Sequence, residues 1–329
     1  MRTEAATNSS ENATGLSIIV PSKAEGIALC AAFILTFIFI VVGNLLTIVL
    51  FAIDKSLRKR SLFLVINMAF ADLMLGTLVP PMFVYVVGFE YQFWSAGLPM
   101  YFTALRRIVY TFFSQASLTS AAFISCERFY ATYWPRKYRR LSLRAYRIVI
   151  CLIWVVSLVF GAIFPALKLF ISSKHAIYPW MVYALIVIFI ICGCNIGIWR
   201  KFQHGGVATQ QPRRASQSKR LTKTLMFVST LALLSWLPLI ISINLNLVYH
   251  VQIPSLWYYP VVVLNISSSF VNPVLYALRI PEFTEALVLC CSKRSAAPII
   301  TATKRHRKIR IEPGQLQLAF EQEVMDTKL

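Results

Sequence analysis

Acidic residues are few: 13 Asp and Glu stand against 33 Lys and Arg in 329 residues, for a net charge of +20. Charged residues of both signs make up only 14% of the chain and hydrophobic ones 57%, with a mean hydropathy of +0.65. So apolar a balance excludes a soluble globule of this size. The seven cysteines, at 30, 126, 151, 192, 194, 290 and 291, include no CxxC spacing and no Cys/His cluster, which argues against a metal centre of that kind. No internal repeat relates two halves of the chain, which weakens an inverted-repeat transporter. Neither a nucleophile-base pair nor paired catalytic carboxylates can be assembled in the apolar segments, so the chain is not read as an enzyme.

What is present is a series of apolar stretches, each reaching the roughly 20 residues that a bilayer crossing takes. They fall at 24–52, 61–88, 100–130, 147–168, 178–199, 221–249 and 256–278. Backbone groups find no water in the hydrocarbon core, so segments of this length cross as helices. The expected fold is all-α, a seven-transmembrane bundle over 24–278.

Lys and Arg are retained on the cytoplasmic side of a membrane, and here they crowd the loops after spans one, three and five and the tail, from Lys55 to Arg310. The N-terminus is therefore expected outside and the C-terminus inside, at the plasma membrane, with span one as an uncleaved targeting signal. Anionic lipid and partner proteins account for the positive charge, so nucleic acid is not an expected partner. Residues 1–23 carry two glycosylation sequons, at Asn8 and Asn12. The third inner loop reads as irregular over 204–216, and Arg213-Arg214-Ala215-Ser216 matches a basophilic kinase site at Ser216. Residues 279–291 have the three-to-four spacing of a short amphipathic helix on the membrane surface, ending in Cys290 and Cys291, two palmitoylation candidates. The 292–329 tail reads as disordered and ends in Thr327-Lys328-Leu329, which has the hydroxyl and terminal aliphatic a PDZ groove accepts.

Charge within the spans is costly and needs a reason. Asp72 lies mid-span two with no cation at its depth, and Asn44, Ser117, Ser268, Ser269 and Asn272 offer oxygen at matching depth. Either a sodium ion or a proton satisfies such a carboxylate. Pro238 and Pro273 break helical hydrogen bonds inside spans six and seven. Glu127 and Arg128 stand together where span three ends, an arrangement suited to a switch in which arginine changes partners.

These motifs together resemble the rhodopsin-like (class A) G-protein-coupled receptors. Gly43-Asn44, Asn67 to Leu73, Glu127-Arg128-Phe129, Trp154, Ser235-Trp236-Leu237-Pro238 and Asn272-Pro273-Val274-Leu275-Tyr276 follow the family's order on the matching spans. The resemblance implies activation of a heterotrimeric G protein, with arrestin and receptor kinases as further partners. It makes Glu127, Arg128, Asn272, Pro273 and Tyr276 the switch, and Trp236 and Pro238 the activation toggle. No cofactor is implied beyond an allosteric sodium ion at Asp72, Ser117, Ser268 and Asn272. Three features depart from the pattern. The position of the usual span-three disulfide, 25 residues before Arg128, is Thr103; span five lacks its mid-helix proline; and Asn195 replaces a tyrosine. The missing disulfide and proline-free span five, together with a very short second outer loop, resemble the grouping that contains melanocortin, cannabinoid, lysophospholipid and adenosine receptors. Ser218 stands where some relatives hold an acid against the span-three arginine, which implies basal activity.

By family position the ligand pocket comprises Tyr110, Thr111, Ser114, Trp236 and Asn265, with Arg106 and Arg107 above. The amine receptors' aspartate is Tyr110 here and the retinal lysine is Ile266, and no other acid is expected in the outer half of a span. A cationic amine and retinal are thus disfavoured. Two successive residues lie about 100° apart on a helix, so one arginine could clamp an anionic lipid or small molecule while the other snorkels to headgroups. The alternative function is an ion-coupled transporter or channel, with Asp72 in an ion pathway.

Overall fold

The computed structural model describes residues 22–53, 62–95, 97–163, 166, 178–204, 212–247, 249, 251–279, 283–284 and 287–288, all within the unit Met1–Val288. Seven long helices carry the fold: α1 (Lys23–Ile53), α2 (Phe63–Glu90), α3 (Met100–Tyr133), α4 (Leu143–Leu158), α5 (Tyr178–Gln203), α6 (Pro212–Leu247) and α7 (Ser255–Arg279). A one-turn helix, Pro135–Tyr138, joins α3 to α4, and α4 ends in a wider π-helical turn, Val159–Ile163. No strand occurs among the described residues.

Six of the seven are long and apolar enough to cross a membrane by length and composition; α3 is the exception. Its place explains why. It packs against α2, α4, the π turn, α5 and α6, so its surroundings are protein rather than lipid. Polar residues survive there because the helix satisfies many of them: Thr119, Ser120, Ser125 and Thr132 each donate to the carbonyl four residues back, at 2.6 to 2.9 Å. The outer helices reverse the soluble rule. Ile34, Ile38 and Val42 of α1, Leu152 and Val155 of α4, and Leu185 and Phe189 of α5 are exposed, as a lipid-facing surface requires.

Two boundaries differ from the sequence reading. The segment 204–216 was expected to be irregular, yet α6 begins at Pro212. A proline suits the first helical turn, whose N–H groups have no intrahelical acceptor in any case, and the polar residues after it show no apolar period to betray the helix. α2 runs on to Glu90, so an acid does stand in a final turn of a span, contrary to expectation. After α7 the described residues 283–284 and 287–288 are helical, and Phe283 is buried with its ring 6.2 Å from Phe51 and 6.3 Å from Tyr276.

The π turn meets α3 at backbone level. A Cβ on Gly161 would lie 2.7 Å from Phe112 Cα and 2.9 Å from the Thr111 carbonyl oxygen, and the Thr111 hydroxyl donates to the Gly161 carbonyl. Phe160 of the same turn stacks on Tyr183 of α5, ring centroids 4.5 Å apart. Backbone cannot yield as a side chain would, so Gly161→Ala is expected to cost about 1–3 kcal/mol. Thermal unfolding of the purified protein should show a lowered Tm for that variant and none for Gly193→Ala, where a Cβ meets nothing within 4 Å.

Candidate functional site

At one end of the bundle, α3 closes on Glu127 and Arg128. Trp134 donates its N–H to the Tyr130 carbonyl, Pro135 starts the one-turn helix, and the chain doubles back so that Tyr138 faces α3. Ser142 then caps α4, accepting from the Ala145 N–H, which puts Tyr146 in the first helical turn. Arg128 Nη2 lies 2.7 Å from Glu127 Oε1 and its Nε donates to Oε2 at 3.1 Å. The same Oε1 accepts from Tyr138 (2.7 Å) and Tyr146 (2.8 Å), and Arg128 Nη2 also donates to the Tyr138 oxygen at 2.9 Å. Burial pushes the Tyr138 hydroxyl's pKa up, so it stays a donor.

Arg128 is only 2% exposed and Glu127 8%, where an unpaired charge would be strongly unfavourable. Both charges sit on one helix, so their pairing alone ties nothing together. Tyr138 and Tyr146 are what bind the pair to the connecting turn and to α4.

Midway along the bundle Asp72 is fully buried. Ser269 donates to its Oδ1 at 2.7 Å and Asn272 to its Oδ2 at 2.8 Å, and Ser117 lies beside the same carboxylate. Ser268 does not join them: its hydroxyl donates to the Asn265 carbonyl at 2.7 Å, and Ser269, one residue further round α7, takes that role. Asn44 donates to the Ser269 carbonyl at 3.2 Å, leaving its own Oδ1 without a partner, and the buried Tyr276 hydroxyl also lacks one. A carboxylate beside serine hydroxyls and the orphaned Asn44 amide oxygen fits a hard cation. Nearby, Trp154 donates to Asn67 Oδ1 (2.9 Å) and Asn67 to Ser120 Oγ (3.0 Å), linking α4, α2 and α3.

Asn195 connects α5 to α6. Its Nδ2 has three acceptors in reach, the Ser229 hydroxyl at 3.0 Å, the Thr230 hydroxyl at 3.2 Å and the Met226 carbonyl at 3.4 Å, for two hydrogens. Above it Trp236 is buried, with Pro238 inside α6 and Pro273 inside α7.

At the opposite end, Arg106 turns inward. Its guanidinium lies 4.5 Å from the Phe83 ring centre and its Nε is buried without a partner, while Arg107 is exposed. Phe83 stacks on Phe33 at 5.0 Å and meets Tyr110 and Tyr259 edge-on. One turn deeper Tyr110 donates to Asn265 Oδ1 at 2.7 Å, leaving Asn265 Nδ2 unpaired; one turn below that, the buried Ser114 hydroxyl is unpaired too. Thr111 is not part of this face, since its hydroxyl serves Gly161, Arg107 and Ile108 carbonyls. Glu90, at the rim, accepts from Ser255 at 3.3 Å.

The structure thus brings Asp72, Ser117 and Asn272 together, and likewise Arg106, Tyr110 and Asn265. Asn8, Asn12, Cys290, Cys291 and Thr327 to Leu329, and the side chains of Ser216 and Ser218, lie outside the described residues. The sequence motifs give no role to Tyr138 and Tyr146; the signal for them is Pro135 and the Ser142 cap, which together fold the chain back on α3. Tyr146→Phe leaves a buried carboxylate one donor short, a loss of about 1–3 kcal/mol. The expected result is a lower Tm for the ligand-free protein, with little change for Tyr133→Phe, whose hydroxyl meets the Gly197 carbonyl on an exposed surface.

Comparison with known proteins agrees with this geometry. The 7 transmembrane receptor (rhodopsin family) profile matches residues 43–276. The adenosine receptor A3 of Bos taurus is 27% identical over 298 residues, 80% of this chain and 91% of its own length. A Gq-coupled rhodopsin of Mizuhopecten yessoensis is 26% identical over 314 residues, 82% of this chain and 62% of its own length. Neuropeptide receptor 22 of Caenorhabditis elegans is 24% identical over 292 residues. Their names point to different ligands at nearly equal identity, so none of those ligands transfers. The profile spans the region from Gly43 to Tyr276 that holds the Asp72, Arg128 and Asn272 clusters, and the chain belongs to the rhodopsin family of seven-transmembrane, G-protein-coupled receptors.

Proposed function

We propose that this receptor responds to an anionic small molecule or acidic lipid whose charged group is held by Arg106. The observation that carries the reading is the inward guanidinium, seated over Phe83 with a buried, unpartnered Nε. A guanidinium binds carboxylate or phosphate through charge-assisted, two-pronged hydrogen bonds. Asn265 Nδ2 and Ser114 Oγ, successively deeper, offer donors to an acceptor on the same ligand, and Phe83, Phe33 and Tyr259 favour an apolar body beside the acid. Glu90 at the rim would favour a cation, but its carboxylate is engaged by the Ser255 hydroxyl.

The N-terminus lies outside and the Arg128 end faces the cytoplasm at the plasma membrane; the excess of Lys and Arg in the loops at that end supports this placement. There the heterotrimeric G protein meets the crevice that opens when Arg128 leaves Glu127, and arrestin and receptor kinases share the face. Glycosylation at Asn8 and Asn12, palmitoylation at Cys290 and Cys291, phosphorylation at Ser216 and PDZ binding at the C-terminus belong to the same reading. An ion-coupled transporter is not favoured, because the family is one of receptors.

Asp72, with the Ser117 and Ser269 hydroxyls beside it and Asn272 positioning the carboxylate, would hold a sodium ion, which would supply charge compensation and favour the described arrangement of α2, α3 and α7 over one that pulls these groups apart.

The ligand reading is tested by exposing cells with matched surface levels of the wild type, Arg106→Gln and Arg107→Gln to fatty acids, lysophospholipids, small carboxylates and amines. An anionic member should activate the wild type and Arg107→Gln alike, with potency in Arg106→Gln lower by about tenfold or more. Activation by an amine, unchanged in Arg106→Gln, overturns it. For the cation, replacing choline by sodium should depress basal nucleotide exchange on the G protein in the wild type and leave Asp72→Asn unmoved; a sodium effect that survives in Asp72→Asn removes the ion from this site.

A further inference from the structure

Two cysteines that the switch does not use face each other across α3 and α5. Cys126 Sγ and Cys194 Sγ lie 3.9 Å apart, both as free thiols, and both residues are partly exposed. Their meeting is set by helix register rather than by the chance of two rotamers. The helices run in parallel, and Cys126 faces Cys194 at the same sequence offset at which Phe129 faces Gly197, where an added Cβ would lie 2.5 Å from the Phe129 ring. Tyr133 donates to the Gly197 carbonyl at 3.0 Å one turn further on. The glycine lets α3 and α5 approach closely, and the close approach brings the two sulfurs into contact.

We propose that Cys126 and Cys194 form a reversible disulfide under a hydroperoxide, and that this bond holds the receptor in its resting state. The sulfur separation of 3.9 Å exceeds a disulfide bond length of about 2 Å, so the bond requires the two side chains to turn toward each other. The sulfur of one cysteine attacks the peroxide O–O bond, giving a sulfenic acid and one water. The second cysteine's sulfur then attacks the sulfenic sulfur; the S–O bond breaks, a second water leaves and the S–S bond forms. Two thiols have given two electrons to one hydrogen peroxide, with every atom accounted for. Cytoplasmic thiols rest reduced, so such a bond is transient and signals oxidant.

Its effect follows from its neighbours. Cys126 precedes Arg128 by two residues, and Cys194 precedes Asn195, which bonds to Ser229 and Thr230 of α6. A covalent tie therefore links α3 to α5 and, through Asn195, to α6, at the level where the G-protein crevice must open.

The test uses membranes from cells expressing the full chain as wild type, Cys126→Ser, Cys194→Ser and Cys192→Ser, exposed to hydrogen peroxide. Peptide mass spectrometry after alkylation reads the bond itself, independently of whether the receptor couples, and nucleotide exchange reads signalling. The expected result is a peptide linking Cys126 to Cys194 in the wild type and Cys192→Ser, with basal exchange falling severalfold and recovering in dithiothreitol. Either Cys126→Ser or Cys194→Ser should lose both the link and the response while reaching the surface normally. Adducts on single cysteines without the linked peptide would reduce the pair to two packed thiols and overturn the proposal. A linked peptide with unchanged exchange overturns the restraint.

Discussion

A charge or polar group taken out of water must find its match inside the bundle, and the arrangement of this receptor follows from how few such groups it keeps. Among the described residues the ion pair within 4 Å is Glu127 with Arg128, and Asp72 is satisfied by hydroxyl and amide groups instead. Because α3 is the helix surrounded by the others, it can carry Ser114, Gln115, Thr119, Ser120, Glu127 and Arg128 at little exposure. The polar residues of a single helix thus run from the Arg106 end to the Arg128 end, and each neighbouring helix meets a different part of that column.

Much of this was legible in the sequence because lipid imposes length and apolarity on each span, and because Glu127-Arg128, Asp72 and Asn272-Pro273 are costly residues in such surroundings. What escaped needed three dimensions. Ser268 and Ser269 differ by one step round α7, and the helix phase near Pro273 decides which meets Asp72. The first turns of α6 are polar on every side, so no period marked them. Tyr138 and Tyr146 depend on how a short connection folds back, and the Cys126 to Cys194 meeting depends on a glycine three residues along the partner helix.

The departures from the family pattern share a logic. The chain has Thr103 in place of the usual cysteine near the start of α3, and the close seat of Gly161 against Thr111 and Phe112 fixes α3 to α4 by backbone contact. Where the family carries a tyrosine in α5, Asn195 reaches directly to α6. A short side chain thus spans the gap between α5 and α6 by itself.

The tyrosine clasp around Glu127 has a further consequence. Charges that hold helices together weaken as salt rises, because mobile ions screen them over roughly 8 to 10 Å in ordinary buffers. Here the charge pair is internal to one helix, and the ties to the rest of the bundle are neutral hydroxyls that ordinary cellular pH does not ionise. The tie of this pair to the connecting turn and to α4 is therefore set by hydrogen-bond geometry, and stays steady across swings of ionic strength that would loosen an interhelical ionic latch.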